Sequence, residues 1–225
     1  MINLHQSAVE AYSGHPTTKP LHYYKKYDDF LNFHGLLPHA IVEIGAFQGE
    51  STKVFARAFP KSKILALDLQ MRDIDFASYG NIAYEQADQS KPGQLITKIK
   101  KHFPDGLDLV VEDASHIGYL SKLTFDALFP LLRSGGAYFI EDWGTGYWDS
   151  WPDGSRFQRL LAEPHDGSIP KRFPSHDFGM VGFVKSLVDM THESAIKNRQ
   201  QDESKFSSRV KVLEFGEGVC MLLKA

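Results

Sequence analysis

Cysteine is almost missing: the 225-residue chain has one, Cys220, so no internal disulfide can form. That fits a reducing compartment, and a cytoplasmic location is expected. No excess of basic charge is present. The net charge is −3, without the electrostatic footprint of a nucleic-acid or membrane-surface partner. No apolar run approaches the length of a membrane span. The opening MINLHQSAVEAYSG lacks the basic start, apolar stretch and small-residue cleavage site of a leader. Internal repeats and low-complexity tracts are also lacking. One domain over residues 1–225 is therefore expected, long enough to bury a sizeable core.

What is present is an alternation of strand and helix patterns. A polar and aromatic stretch over residues 1–37 contains HYYKKYDDFLNF, with Tyr23, Tyr27, Phe30 and Leu31 at helical spacing. It predicts a helical segment covering the rest. AIVEIG, KILALDL, NIAYEQAD, LDLVVED and GAYFIED read as successive short strands. Between them STKVFARAF, capped by Ser51, KPGQLITKIKKHF and IGYLSKLTFDALFPLL read as helices, the last with Leu120, Leu123, Ala127, Leu128 and Leu131 as its apolar stripe and RSGG as its end. Residues 143–176, rich in Gly, Pro and Trp, read as a long loop on the acceptor side. A helix follows from Asp177 to about Asn198, and VKVLEFGEGVCMLLK reads as a hairpin around Gly-Glu-Gly. The expected fold is α/β: a doubly wound, mainly parallel sheet ending in an antiparallel hairpin.

In such sheets ligands bind beyond the carboxyl ends of the strands, where strand order reverses. IVEIGAFQGEST places Gly45 and Gly49 at such an end. A dinucleotide turn needs G-x-G-x-x-G and a P-loop needs a Lys after its last glycine; this turn has neither. Glu43, just before Gly45, suits a zwitterionic, cationic ligand better than a phosphate. S-adenosylmethionine, a sulfonium, is such a ligand. Asp68 ends the second strand, where an acid accepts from ribose hydroxyls. Asp88 ends the third, where a carboxylate suits the adenine amino group. The bland alternative is a tight turn with solvated acids at the strand ends.

A second cluster comes from VEDASH and IEDWGTGYW. Asp113 ends the fourth strand; Glu141 and Asp142 end the fifth. Converging carboxylates repel unless a cation or a proton intervenes, and oxygen ligands suit Mg²⁺. An unperturbed imidazole can be neutral and accept a proton at cellular pH, and His116, beside them, is placed to act as a general base. Its bland alternative is a surface residue in a helix capped by Ser115. Trp143, Tyr147, Trp148 and Trp151 follow, either as the wall of an acceptor pocket or as a cluster that pins the loop.

VEIGAFQGES, ALDL and EQADQS, in this order, resemble the class I S-adenosylmethionine-dependent methyltransferases. DASH, FDALFPLLRSGGAYFIED and TGYW resemble the metal-dependent branch that methylates sugar hydroxyls in antibiotic biosynthesis, of the mycinamicin and novobiocin type. The resemblance implies an O-methyltransferase acting on a hydroxylated small molecule. It implies S-adenosyl-L-methionine binding through Glu43, Gly45, Gly49, Ser51, Asp68 and Asp88. It further implies Mg²⁺ on Asp113, Glu141 and Asp142, with His116 and Asp113 catalytic. Lys19, His22 and Tyr23 fall in a segment similar to one that closes the site. Ala114, Gly144 and Gly146 depart from the family pattern, which has Gly, His and Ser there. A homo-oligomer is compatible with the resemblance. Three other readings are an NAD-dependent oxidoreductase, a cephalosporin-hydroxylase-like enzyme and a non-catalytic S-adenosylmethionine-binding protein.

Overall fold

A computed structural model describes residues 2–13, 18–158, 177–193, 196 and 209–225. Its centre is one seven-stranded sheet in the order β3-β2-β1-β4-β5-β7-β6. The strands are β1 (Ala40–Ile44), β2 (Lys63–Asp68), β3 (Ile82–Gln86), β4 (Leu107–Glu112), β5 (Leu132–Glu141), β6 (Val210–Phe215) and β7 (Val219–Lys224). Strands β1 to β5 pair in parallel, while β7 runs antiparallel to both β5 and β6. The fold expected from the alternation is therefore the one found. Strand order reverses between β1 and β4, so the switch point lies where Ile44 and Glu112 end side by side.

Successive strand residues face opposite sides, and both sides are apolar. Val42, Ile44, Leu65, Val110, Tyr138 and Leu222 pack under α4 (Pro92–His102), α5 (Gly118–Leu128) and α7 (Gly179–Thr191). Their neighbours Ile41, Ile64, Leu109, Val111, Phe139 and Met221 pack under α1 (Leu4–Ala11), α2 (Leu21–Phe33) and α3 (Glu50–Ala58). Tyr23, Tyr27, Phe30 and Leu31 of α2 are all buried, as their spacing predicts. Helix α1 had no clear sequence signal; the buried Asp28 carboxylate pins it by accepting from the Leu4 and His5 amides.

Several local expectations are corrected. Ser51 does not cap α3; Gly49 does so in a left-handed conformation (φ 73°), and the Ser51 hydroxyl turns inward to Glu43. The buried face of α5 includes Ser121 and Thr124, while Leu120 and Leu123 are half-buried. Ser121 turns in because it donates to the buried Glu112 carboxylate. RSGG does not close the helix but lies inside β5. Within 143–176 the described part is not loop alone: Trp143–Tyr147 form a 3-10 turn and Pro152–Gln158 form α6. Residues 159–176, and most of the predicted helix beyond Thr191, lie outside the described residues.

Candidate active site at the strand switch point

Two clefts open at the carboxyl ends of the strands, one on each side of a shared wall of Gly45, Phe47, Asp113 and Ala114. Gly45 (φ 95°) is needed for a reason internal to the fold: a Cβ there would collide with the Asp113 carbonyl. The ends of β1 and β4 can touch only through a glycine.

The first cleft, about 320 Å³, is lined by Leu67, Leu69, Asp68, Asp88, Gln89 and Leu120 among others. Asp68 is tied to the glycine turn. Its Oδ2 accepts from the Phe47 amide at 2.7 Å, and its Oδ1 accepts from Gln70 N (2.9 Å) and Arg72 (3.1 Å). Asp88 serves its own turn: its Oδ1 accepts from Ser90 N (2.9 Å) and Ser90 Oγ (2.7 Å), and its Oδ2 lies 3.2 Å from Lys91 Nζ. Those Ser90 bonds, followed by Lys91, hold the Asp88 carboxyl below its ordinary range. Next to it Gln89 is buried and donates from Nε2 to Glu112 Oε1 at 2.6 Å. Burial pushes the Glu112 carboxyl up to about 7, against the bonds from Ser121 and Gln89.

The second cleft, about 380 Å³, is lined by Thr18, Lys19, Tyr23, Asp113, His116, Asp142 and Trp151 among others. Here Asp113, His116 and Asp142 bring their ligating atoms within 4.8 Å of one another. His116 Nε2 stands 3.6 Å from Asp113 Oδ1 and 3.8 Å from Asp142 Oδ2, and its ring meets Trp151 edge-on at 5.3 Å. His116 precedes α5 rather than beginning it. Glu141, the other predicted ligand, is buried and bonded to Lys19 Nζ at 2.6 Å. Glu141 is the last residue of β5, and Asp142 leaves the strand in a left-handed turn (φ 52°), so the two carboxylates are not held alike.

Lys19 is the part the sequence barely signalled. Its ammonium lies 2.6 Å from Glu141, 3.2 Å from Asp113 and 3.7 Å from Glu43. Burial opposes that charge, but Glu141, Asp113 and Glu43 together hold its pKa well above the ordinary value. Burial raises the Glu141 carboxyl, as does Asp113, with Lys19 pulling the other way. Glu43 lies beneath the turn, fully buried, accepting from Ser51 and Thr52. It lines neither cleft. Tyr23 completes the clasp by donating to Asp142 Oδ1 at 2.5 Å. Among the described residues, the non-glycine positions with positive φ are Phe47, His116 and Asp142. All three line this cleft; strain of this kind, costing about 1–3 kcal/mol each, gathers at functional sites.

The carboxylates of Asp113 and Asp142 converge on an open cleft with the His116 imidazole beside them, and such oxygen donors suit a hard cation. The first cleft combines apolar walls from Leu67, Leu69, Ala87 and Leu120 with polar groups from Asp68, Gln70, Arg72, Asp88 and Gln89.

No family model matches the chain. It is 32% identical over 153 residues to demethylmacrocin O-methyltransferase of Streptomyces fradiae, covering 66% of this chain and 34% of that protein. It is 31% identical over 175 residues to mycinamicin VI 2''-O-methyltransferase of Micromonospora griseorubida, covering 75% of this chain and 38% of the relative. The chain belongs to the class I S-adenosylmethionine-dependent methyltransferases. Within that family it is similar to sugar O-methyltransferases of macrolide and tetracenomycin biosynthesis. A crystal structure of the MycE methyltransferase of the mycinamycin pathway, in complex with Mg and SAH, superposes with a TM-score of 0.72 at 22% identity, over 99% of this methyltransferase chain and 54% of that one. An O-methyltransferase from Bacillus cereus in complex with SAH superposes at 0.55 and 13% identity, over 98% and 90%. This methyltransferase chain spans little more than a third of the curated relatives' length. None of its described helices is long and apolar enough to cross a membrane.

Proposed function

We propose that the chain, read as one methyltransferase domain over residues 1–225, transfers the methyl group of S-adenosylmethionine to a hydroxyl of a sugar-bearing or similar small molecule. The observation that carries this reading is the adjacency of the two clefts: a nucleoside-sized one bearing Asp68 and Gln89, and a charged one holding Asp113, His116 and Asp142. The relatives' activities, on macrolide and tetracenomycin sugars, supply the acceptor class.

In this reading the residues of the first cleft, Asp68 and Asp88 among them, would hold the nucleoside, and the Gly45–Ala114 wall divides it from the acceptor's cleft. Asp113, Glu141 and Asp142 form the acidic ligand set for Mg²⁺, Glu141 sharing its carboxylate with Lys19. A divalent cation held there supplies acidification and anchoring of an acceptor hydroxyl. His116 Nε2 takes the hydroxyl proton while the oxygen–carbon bond forms and the carbon–sulfur bond breaks, leaving S-adenosylhomocysteine. Glu43, Gly45, Gly49 and Ser51 act from beneath, by holding the turn in place. Trp151 and Trp148 wall the acceptor. The single buried Cys220 is consistent with a reducing cytoplasm.

Calorimetric titration with S-adenosylmethionine, S-adenosylhomocysteine and NAD⁺, with Mg²⁺ and with chelator, tests the reading. Micromolar binding of the adenosyl pair alone is expected, followed by methyl transfer to a glycosylated acceptor that chelation abolishes. Binding of NAD⁺ in place of both adenosyl ligands would sink it. Methyl transfer that survives thorough chelation would sink the metal's part.

A further inference from the structure

Among the described residues, no hydrogen bond holds the ring of His116. The carboxylate oxygens facing its Nε2 stand 3.6 and 3.8 Å away, beyond a normal bond. A side-chain base is ordinarily oriented by a third group. The backbone of His116 is also left-handed (φ 53°), a conformation that persists only where its surroundings enforce it. The imidazole is therefore aimed by something other than a partner on its own nitrogens.

Two contacts supply that aim. The Trp151 ring meets the imidazole edge-on at 5.3 Å. Two residues beyond His116, the Gly118 amide donates to Asp153 Oδ2 at 2.6 Å. Asp153 in turn stands two residues beyond Trp151, in the first turn of α6, which Pro152 opens. The chain thus closes a small ring. It runs from His116 to Gly118, across the hydrogen bond to Asp153, back through Pro152 to Trp151, and across the aromatic contact to His116.

The corner at Asp153 is tightly held. Asp153 is 5% exposed, and the same Oδ2 accepts from Met180 N of α7 at 2.7 Å. Neither α5 nor α7 has a side-chain cap from its own N-cap residue. One carboxylate from α6 therefore serves the amides of two helix N-termini, where negative charge is favoured. The backbones around it meet closely. A Cβ on Gly118 would lie 2.0 Å from the Gly179 carbonyl carbon, and one on Gly179 would lie 2.9 Å from the Asp153 carboxyl carbon.

We propose that Asp153 is the positioning residue of the base. It anchors Gly118 and carries Trp151, and between them these fix the His116 imidazole with Nε2 toward the carboxylates. The proposal rests on the methyltransferase reading and deepens it. Asp153 lines neither cleft and acts only through His116.

The test joins a readout free of activity to a mutant cycle. In NMR of the cation-free protein, the His116 ring protons are assigned by their loss in His116→Ala. They are expected as one sharp set, shifted by the Trp151 ring. In Asp153→Leu, which removes both hydrogen bonds at similar volume, they should move or broaden. Turnover should fall by about ten- to a hundredfold while S-adenosylhomocysteine affinity holds. Asp153→Asn keeps an oxygen acceptor and should lose about three- to tenfold; it carries the test if the leucine variant does not fold. The deciding step is the double mutant. With His116→Ala already present, neither Asp153 substitution should lower turnover further, whereas general loosening of the fold would lower it in both backgrounds. Equal losses in both backgrounds, or His116 signals unmoved in every variant that folds, overturn the assignment and leave the methyltransferase reading intact. A wild-type protein that transfers no methyl group, but whose His116 signals move in Asp153→Leu, sinks that reading and leaves the placement of His116 standing.

Discussion

The two clefts share a wall but are built in opposite ways. In the nucleoside-sized cleft the acids are satisfied locally: Asp88 by Ser90 and Lys91, and Asp68 by Gln70, Arg72 and the Phe47 amide. In the charged cleft the partners come from far away. Lys19 reaches Glu141 across 122 positions, and Tyr23 reaches Asp142 across 119. Backbone strain leans the same way: among the described residues, His116 and Asp142 have positive φ and line the charged cleft alone, while Phe47, the third, belongs to the shared wall. A binding surface can be assembled from strand ends alone, whereas a surface that gathers like charges needs a counter-charge delivered by another part of the chain.

Substitutions in each cleft should break that contrast in different measures. The largest effect is expected at Asp113, which touches both His116 and Lys19. Asp113→Ala should lower methyl transfer by more than about a thousandfold and remove its dependence on divalent cation. S-adenosylhomocysteine should still bind calorimetrically; loss of that binding would mean the clefts are not separable. His116→Ala comes next, with turnover down by about 10²- to 10⁴-fold and little change in nucleoside affinity.

Lys19→Met tests the counter-charge itself. It leaves Glu141 and Glu43 buried without their ammonium, and should cost about 3–5 kcal/mol in urea denaturation of the cation-free protein. An unchanged midpoint would show that the clasp does not stabilise the fold. On the other side of the wall, Asp68→Ala should weaken S-adenosylhomocysteine about ten- to a hundredfold while leaving cation binding alone.

A last effect, spread over several pH units and small at each step, sharpens the comparison through pH. The Glu112 carboxyl titrates near 4.5 when unperturbed and is raised to about 7 in the fold by burial. Between those values the folded state binds the extra proton. Stability is therefore full below about pH 4.5, falls as pH rises through this window, and levels off above about pH 7. Relative to Glu112→Gln, the wild-type protein should lose up to about 1.4 kcal/mol per pH unit across the window. Parallel denaturation curves for the two proteins would contradict that.

Legibility in the sequence divides the same way. The sheet and its order class, the hairpin, and the acids at the strand ends could be read because they rest on local pattern: apolar alternation, Gly-Glu-Gly, and a carboxylate closing each strand. Gly45 was legible as a close approach, though the group approaching is the Asp113 backbone. Ser51 was misread because hydroxyl-before-helix is a capping signal, and nothing local reveals the Glu43 carboxylate beneath it. Lys19 is marked only by resemblance, and Tyr23 by resemblance and as one position of a helical stripe, since the acids they meet lie 122 and 119 positions away. Gln89 gave no signal at all. Its surroundings depend on Glu112 and Ser121, which come from β4 and α5.

The span between Lys19 and Glu141 also has a kinetic consequence. Closing so long a loop costs chain entropy before the contact repays it. Lys19 leaves the ribosome well ahead of β5, and Glu141 waits in turn for Val219 of β7 to pair with it. The N-terminal strap therefore docks late, onto a sheet that already holds its acids together. Until it does, the nascent protein carries a knot of carboxylates neutralised only by solvent ions, and its maturation rate should rise with ionic strength.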